Sequence, residues 1–137
     1  MNLSDPVLVS RLVPHLPDPF KILGVPRDTN FDRVKPQVRY VDDNYSSLKN
    51  ERNQAYSRGR IRYFRDLFRE GKEVPPIEVD NEWSLYSPCG LVLNDGHHRL
   101  CGAILAGSDH VVVSYSGDVK ALRWLKGELQ TAPEWLG

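Results

Sequence analysis

The feature that most narrows the fold is a change of period just after residue 93. Leu91-Val92-Leu93 is a short apolar run suited to a strand, while Leu100, Ala103 and Ile104 recur at helical spacing up to Gly107. Between them stand Asn94-Asp95-Gly96, which is loop chemistry, and then His97-His98-Arg99. A strand must therefore hand over to a helix, expected over Leu100 to Ala106, through one tight polar turn. A chain that does this belongs among proteins mixing sheet and helix.

The rest of the sequence supplies partners for both elements. Ile77-Glu78-Val79 alternates as a strand does after Pro75-Pro76. Trp83-Ser84-Leu85-Tyr86 and Leu91-Val92-Leu93 read as a hairpin around the turn residues Ser87-Pro88-Cys89-Gly90, and Val111-Val112-Val113 as a buried strand. Ile61, Phe64, Leu67 and Phe68 share one helix face, predicting a helix over about 58 to 70 that stops at Gly71. Asp118 is placed to cap a last helix with Val119, Leu122 and Leu125 inward and Trp124 and Trp135 packed near its end. The expected fold class is α/β (α+β): a small mixed sheet with packed helices.

Six of the ten prolines fall at positions 6, 14, 17, 19, 26 and 36, where they interrupt both helix and sheet hydrogen bonding. Residues 1–45 are therefore expected as a proline-rich arm packed on a domain spanning 46–137. With 137 residues, 40% of them hydrophobic, the chain suffices for one buried core. It has neither a signal-peptide pattern at its start nor an apolar run long enough to cross a membrane, so a cytoplasmic protein with no membrane partner is expected. Cys89 and Cys101 are too few for a disulfide scaffold.

Eighteen basic residues balance eighteen acidic ones, so no global field draws the chain to nucleic acid. Arg52, Arg58, Arg60, Arg62, Arg65 and Arg69 form a local basic run, diluted by Asp66, Glu70 and Glu73 and read first as a solvated helix face. Tyr40, Tyr45, Tyr56 and Tyr63 interleave with these arginines, a pattern that suits either stacking on single-stranded bases or ordinary packing.

The chemistry concentrates at Asp95-Gly96-His97-His98-Arg99. The first N–H groups of a helix point outward at its positive dipole end and favour an anion there. Gly96, lacking a Cβ, permits positive φ and close backbone approach. Arg99 brings a permanent planar cation, and His97 and His98 bring donors that titrate near neutrality. Asp95 beside a phosphate is repulsive unless it holds a metal, takes a substrate proton, or caps the helix.

Taken in order, the residues resemble the ParB/sulfiredoxin superfamily over about 58 to 115. The resemblance rests on the helix Arg60-Ile61-Arg62-Tyr63-Phe64-Arg65-Asp66-Leu67-Phe68, the run Val74-Pro75-Pro76-Ile77-Glu78-Val79, the hairpin, Asp95-Gly96-His97-His98-Arg99-Leu100, and the small-residue helix ending Ala106-Gly107. It implies that Gly96, His97, His98 and Arg99 bind nucleotide phosphates, with Arg60 matching a basic position of the sulfiredoxin helix. Sulfiredoxins carry a reactive cysteine in this turn where the present chain has His97, so sulfinic-acid repair is not expected; Cys101 is expected as a small buried residue. Partition-type ParB proteins continue into a helix-turn-helix, for which no residues follow Gly137, so clamp function is not expected either. The Asp-Gly-His start is similar to the turn of free-serine kinases, which also need a separate acid, with Glu51, Glu70 and Glu78 as the candidates.

The leading expectation is ATP-, ADP- or CTP-dependent chemistry, a phosphotransferase or NTPase. Arg99 and the Gly96 to His98 amides would hold phosphates, His97 or His98 would stabilise developing charge, and Asp95 would bind Mg2+ or act as base. The alternative is a DNA-binding module, or a metal-dependent nuclease in which Asp95 with His97 or His98 holds magnesium. A zinc site drawing on Cys89, His97, His98, Cys101 and His110 lacks the usual paired close ligands.

Overall fold

Branched aliphatic side chains at alternate positions build a four-stranded sheet. The computed structural model describes residues 4–41, 51–84 and 87–136. In chain order its elements are β1 (Ser4–Leu8), α1 (Val9–Leu12), α2 (Pro19–Leu23), α3 (Glu51–Arg69), β2 (Ile77–Ser84), β3 (Ser87–Asp95), α4 (His97–Ala106), β4 (His110–Ser116) and α5 (Val119–Leu125). Single 3-10 turns occupy Val13–His15, Phe31–Arg33 and Glu134–Leu136. The protein is thus a small α+β protein, as its periodicities require. Among the described residues no helix is long and apolar enough to cross a membrane.

The residues group into two compact units, each assembled from separated stretches of chain. The first comprises Met1–Pro17, Pro75–Gly96 and Asp109–Gly137; the second comprises Asp18–Val74 and His97–Ser108.

The first unit holds the sheet, in the order β1-β4-β2-β3. β4 pairs antiparallel with β1 and parallel with β2, and β2 pairs antiparallel with β3. Val7, Ile77, Val79, Leu91, Leu93, Val111 and Val113 are buried, whereas Val112 is 38% exposed. β4 therefore buries one face, correcting the expectation that all three valines lie inside; the pleat turns every second side chain away. The predicted proline arm supplies the edge strand β1 and the short helix α1 to this unit, and its remainder, with α2, belongs to the second. Pro6 is tolerated in β1 because that strand has a neighbour on one side only.

The expected turn residues Ser87 to Gly90 lie inside β3: Ser87 pairs with Ser84, and Pro88 with Trp83 beside a register shift at Glu82/Trp83. β3 is the other edge strand, so Pro88 removes no essential ladder bond. Leu85 and Tyr86 lie outside the described residues.

A buried polar bracket joins the strands of this unit to α5. Asn81 on β2 is 5% exposed; its Oδ1 accepts from the Tyr115 hydroxyl at 2.8 Å and from the Asp118 backbone N–H. Gly117 passes over it at φ 140°, and a Cβ there would collide with the Asn81 amide. Asp118 then caps α5, as expected, its carboxylate accepting from the Lys120 N–H at 3.3 Å. Val119 is 66% exposed rather than inward, and Ala121 and Leu125 are the buried residues of α5. Arg11 closes the far end of the helix, donating from Nη1 to the Trp124 and Leu129 carbonyls at 2.6 and 2.7 Å.

The second unit is helical. Phe20, Leu23, Val25, Phe31, Ile61 and Cys101 form its core. α3 begins seven residues before the expected position 58, because the polar run from Glu51 to Ser57 carries no apolar stripe to announce it. α4 crosses α3 closely at Gly102, where a Cβ would stand 2.7 Å from Phe64 Cβ and 2.8 Å from the Arg65 backbone nitrogen.

Three arginines of the basic run, Arg60, Arg62 and Arg65, are engaged by the fold, whereas Arg69 is exposed. Arg62 Nη1 donates to the carbonyls of Phe31, Asp32 and Val34 at 2.7 to 3.1 Å, closing the 3-10 turn there. Arg65, 5% exposed, pairs with Asp32 and Asp66. Burial alone would raise the Asp66 carboxyl, but hydrogen bonds and charge from Arg62 and Arg65 outweigh it and hold that carboxyl below its usual value. The Arg52 side chain lies outside the described residues.

Two measurements check this packing. Gly102→Ala forces backbone apart at the α3–α4 crossing and is expected to cost about 1–3 kcal/mol in urea denaturation. Burial pushes the Tyr115 hydroxyl up to about 12, with Asp118 and Asp80 adding and the Asn81 hydrogen bond opposing. Its folded value exceeds its unfolded one, so its contribution is intact below pH 10 and is lost as pH rises through about 12. Ultraviolet titration should show one tyrosine ionising later than the others, and Tyr115→Phe should remove that phase.

Candidate functional site

The handover from β3 to α4 is built on Gly96. This glycine is buried at φ 105°, and a Cβ on it would lie 2.6 Å from Ile77 Cγ2. Its lack of a side chain is thus already required by Ile77, before any ligand is considered. α4 starts at His97, three residues earlier than expected, so His97, His98 and Arg99 form its first turn. No acidic residue accompanies them there.

Within the helical unit, His98 is held by α3. Its Nε2 lies 3.0 Å from Ser57 Oγ, and its ring meets Tyr56 edge-on at 5.9 Å. Ser57 is 2% exposed and was not singled out from the sequence. The signal was present: Ser57 stands four residues before Ile61 and seven before Phe64, on the same buried face of α3. Tyr56 Oη also accepts from the Val41 N–H at 3.0 Å.

Arg60 has a structural engagement of its own. Nη1 donates to the Gln37 and Val38 carbonyls at 3.2 and 2.8 Å, and the guanidinium lies 4.5 Å from the Phe64 ring centroid and 5.6 Å from that of Tyr63. These contacts account for its burial with no anion. Tyr56 and Tyr63 are packed against His98 and Phe64, Tyr40 is exposed, and Tyr45 lies outside the described residues.

In the sheet unit, Asp95 ends β3 and pairs across the ladder with Glu78 of β2, both exposed. The register shifts between Glu78 and Val79, leaving Asn94 as the extra residue, its amide donating to Asp80 at 2.6 Å. Of the three acids considered beside the turn, Glu78 is the one the ladder places there. Glu70 pairs with Lys72 beyond the end of α3, and the Glu51 side chain lies outside the described residues. Among the described residues no three His, Cys, Asp or Glu side chains converge as a metal-binding group.

Cys89 is exposed on β3, and Cys101 is completely buried in the helical core. Burial pushes the Cys101 thiol well above its usual value, the Asp18 charge adding and Arg27 opposing, so it is a packing residue and no nucleophile. A thiol reagent should therefore label Cys89 alone in the folded protein and Cys101 only after denaturant is added; rapid labelling of both would contradict this burial.

Compared with protein-family models, with curated proteins and with solved structures, the chain matches none.

Proposed function

We propose that the chain is a ParB/sulfiredoxin-like nucleotide-binding protein whose phosphate-binding element is the first turn of α4. The observation that carries this reading is the composition of that turn: two histidines and an arginine, without an acidic residue, at the N-terminal end of a ten-residue helix. Helix N-terminal amides together with an arginine fork are donors suited to an anion. The Ser57 hydroxyl and the Tyr56 ring orient His98, so its imidazole is held rather than free to rotate.

Asp95 and Glu78 extend the reading towards phosphoryl transfer. Asp95, which precedes that turn in the chain, and its ladder partner Glu78 are the carboxylates proposed for magnesium and for proton transfer in a reaction using ATP, ADP or CTP. Arg60 is left out of the phosphate set, because its guanidinium already holds the Gln37 and Val38 carbonyls.

Titrating the protein with ATP, ADP and CTP, each with magnesium, should raise its melting temperature, by a free energy of about 2.7 kcal/mol at a hundredfold excess over Kd. Arg99→Ala should weaken the response at least tenfold while leaving the unliganded melting temperature nearly unchanged. No stabilisation by any of the three at millimolar concentration would refute nucleotide binding. Cleavage of DNA in magnesium would favour the nuclease alternative.

A further inference from the structure

At the other end of β3 from Asp95, the sheet unit carries a groove of about 580 Å³. Its lining includes Trp83 from β2, Pro88 from β3, and Pro133 and Trp135 from the C-terminal segment. Pro88 and Asp95 are seven residues apart on one strand, roughly 23 Å at the usual rise, so the groove is separate from the turn. Trp83 is 58% exposed, an unusual display for the most hydrophobic of large side chains and typical of binding surfaces.

The groove is braced from below. Trp135 Nε1 donates to Asp118 Oδ2 at 3.1 Å, which pins the indole. The Asp118 backbone N–H in turn donates to buried Asn81. Both contacts are internal to the protein and hold the Trp135 indole in place.

Three charged residues also line it: Asp118, Glu134 and Lys120. Two carboxylates and two indoles attract a cation, and one exposed ammonium opposes them. An anionic occupant such as a nucleotide or single-stranded DNA would find rings to stack on, but its phosphates would meet Asp118 and Glu134. Indole and pyrrolidine faces, with the Lys120 ammonium as a donor for backbone carbonyls, suit a polyproline-type segment. Such a segment has no internal hydrogen bonds to break and little conformational entropy to lose.

From this juxtaposition we infer that the groove binds an extended proline-rich peptide segment of a partner protein, with a basic side chain seated beside Glu134. The prolines pack between Trp83 and Trp135, and the charge fixes the direction of the segment.

The test uses the full chain and a fluorescein-labelled polyproline peptide bearing arginine at each end, followed by anisotropy. Saturable binding is expected, weakened at least tenfold by Trp83→Ala and severalfold by Glu134→Gln. Replacing the peptide's arginines with glutamates should also weaken it. Because Trp83 is largely exposed, Trp83→Ala should leave the circular dichroism spectrum and melting temperature nearly unchanged, so lost binding would report the groove and not unfolding. The inference is overturned by absence of saturable binding at millimolar peptide, by equal affinity for a glycine-serine peptide with the same arginines, or by wild-type affinity in Trp83→Ala. It is equally overturned if a single-stranded oligonucleotide binds the groove more tightly than the peptide does.

Discussion

The contact of Gly96 with Ile77 is the constraint from which the arrangement of the turn follows. Ile77 opens β2, is wholly buried, and occupies the space that any side chain at position 96 would need. The backbone can leave β3 there only at positive φ, and that sets where α4 begins. His97, His98 and Arg99 then fall on the first helical turn as a geometric result of strand packing. The packing of a core residue and the start of α4 are thus one decision in the sequence.

The second organising device is the use of arginine as a clamp on carbonyl groups. Arg62 gathers three carbonyls of the 31–34 segment, Arg60 two of the 37–38 segment, and Arg11 two at the end of α5. Irregular chain has carbonyls that no ladder satisfies, and a planar guanidinium answers several of them at once. Proline-rich stretches with few helical or sheet hydrogen bonds can be held in this way.

Elements that bury a face were readable from the sequence, and those held by polar contacts were not. The strands around Ile77, Leu91 and Val111 and the helix through Ile61 and Phe64 followed from apolar spacing alone. β1 escaped because Pro6 argues against a strand and the exception for edges depends on neighbours that sequence does not display. The first turns of α3 escaped for want of an apolar stripe, and the basic run was misread because a charged side chain gives no hint that its partners are backbone oxygens. At the turn, residue types singled out five consecutive positions and left Glu51, Glu70 and Glu78 open as the accompanying acid; Ser57 behind His98 and the pairing of Glu78 with Asp95 emerged only from the fold.

The sheet carries a further implication for how the chain assembles. Ser4 of β1 is paired with Ser114 of β4, so β1 has no partner until a strand about 110 residues later in the chain exists. Closing a loop of that length has a large entropic cost, which must be met before the pairing yields any return. Meanwhile β2 and β3, adjacent in sequence, can zip as a local hairpin. The order of the sheet therefore implies an order of events, with the β1 edge completed last and its apolar face waiting exposed until then.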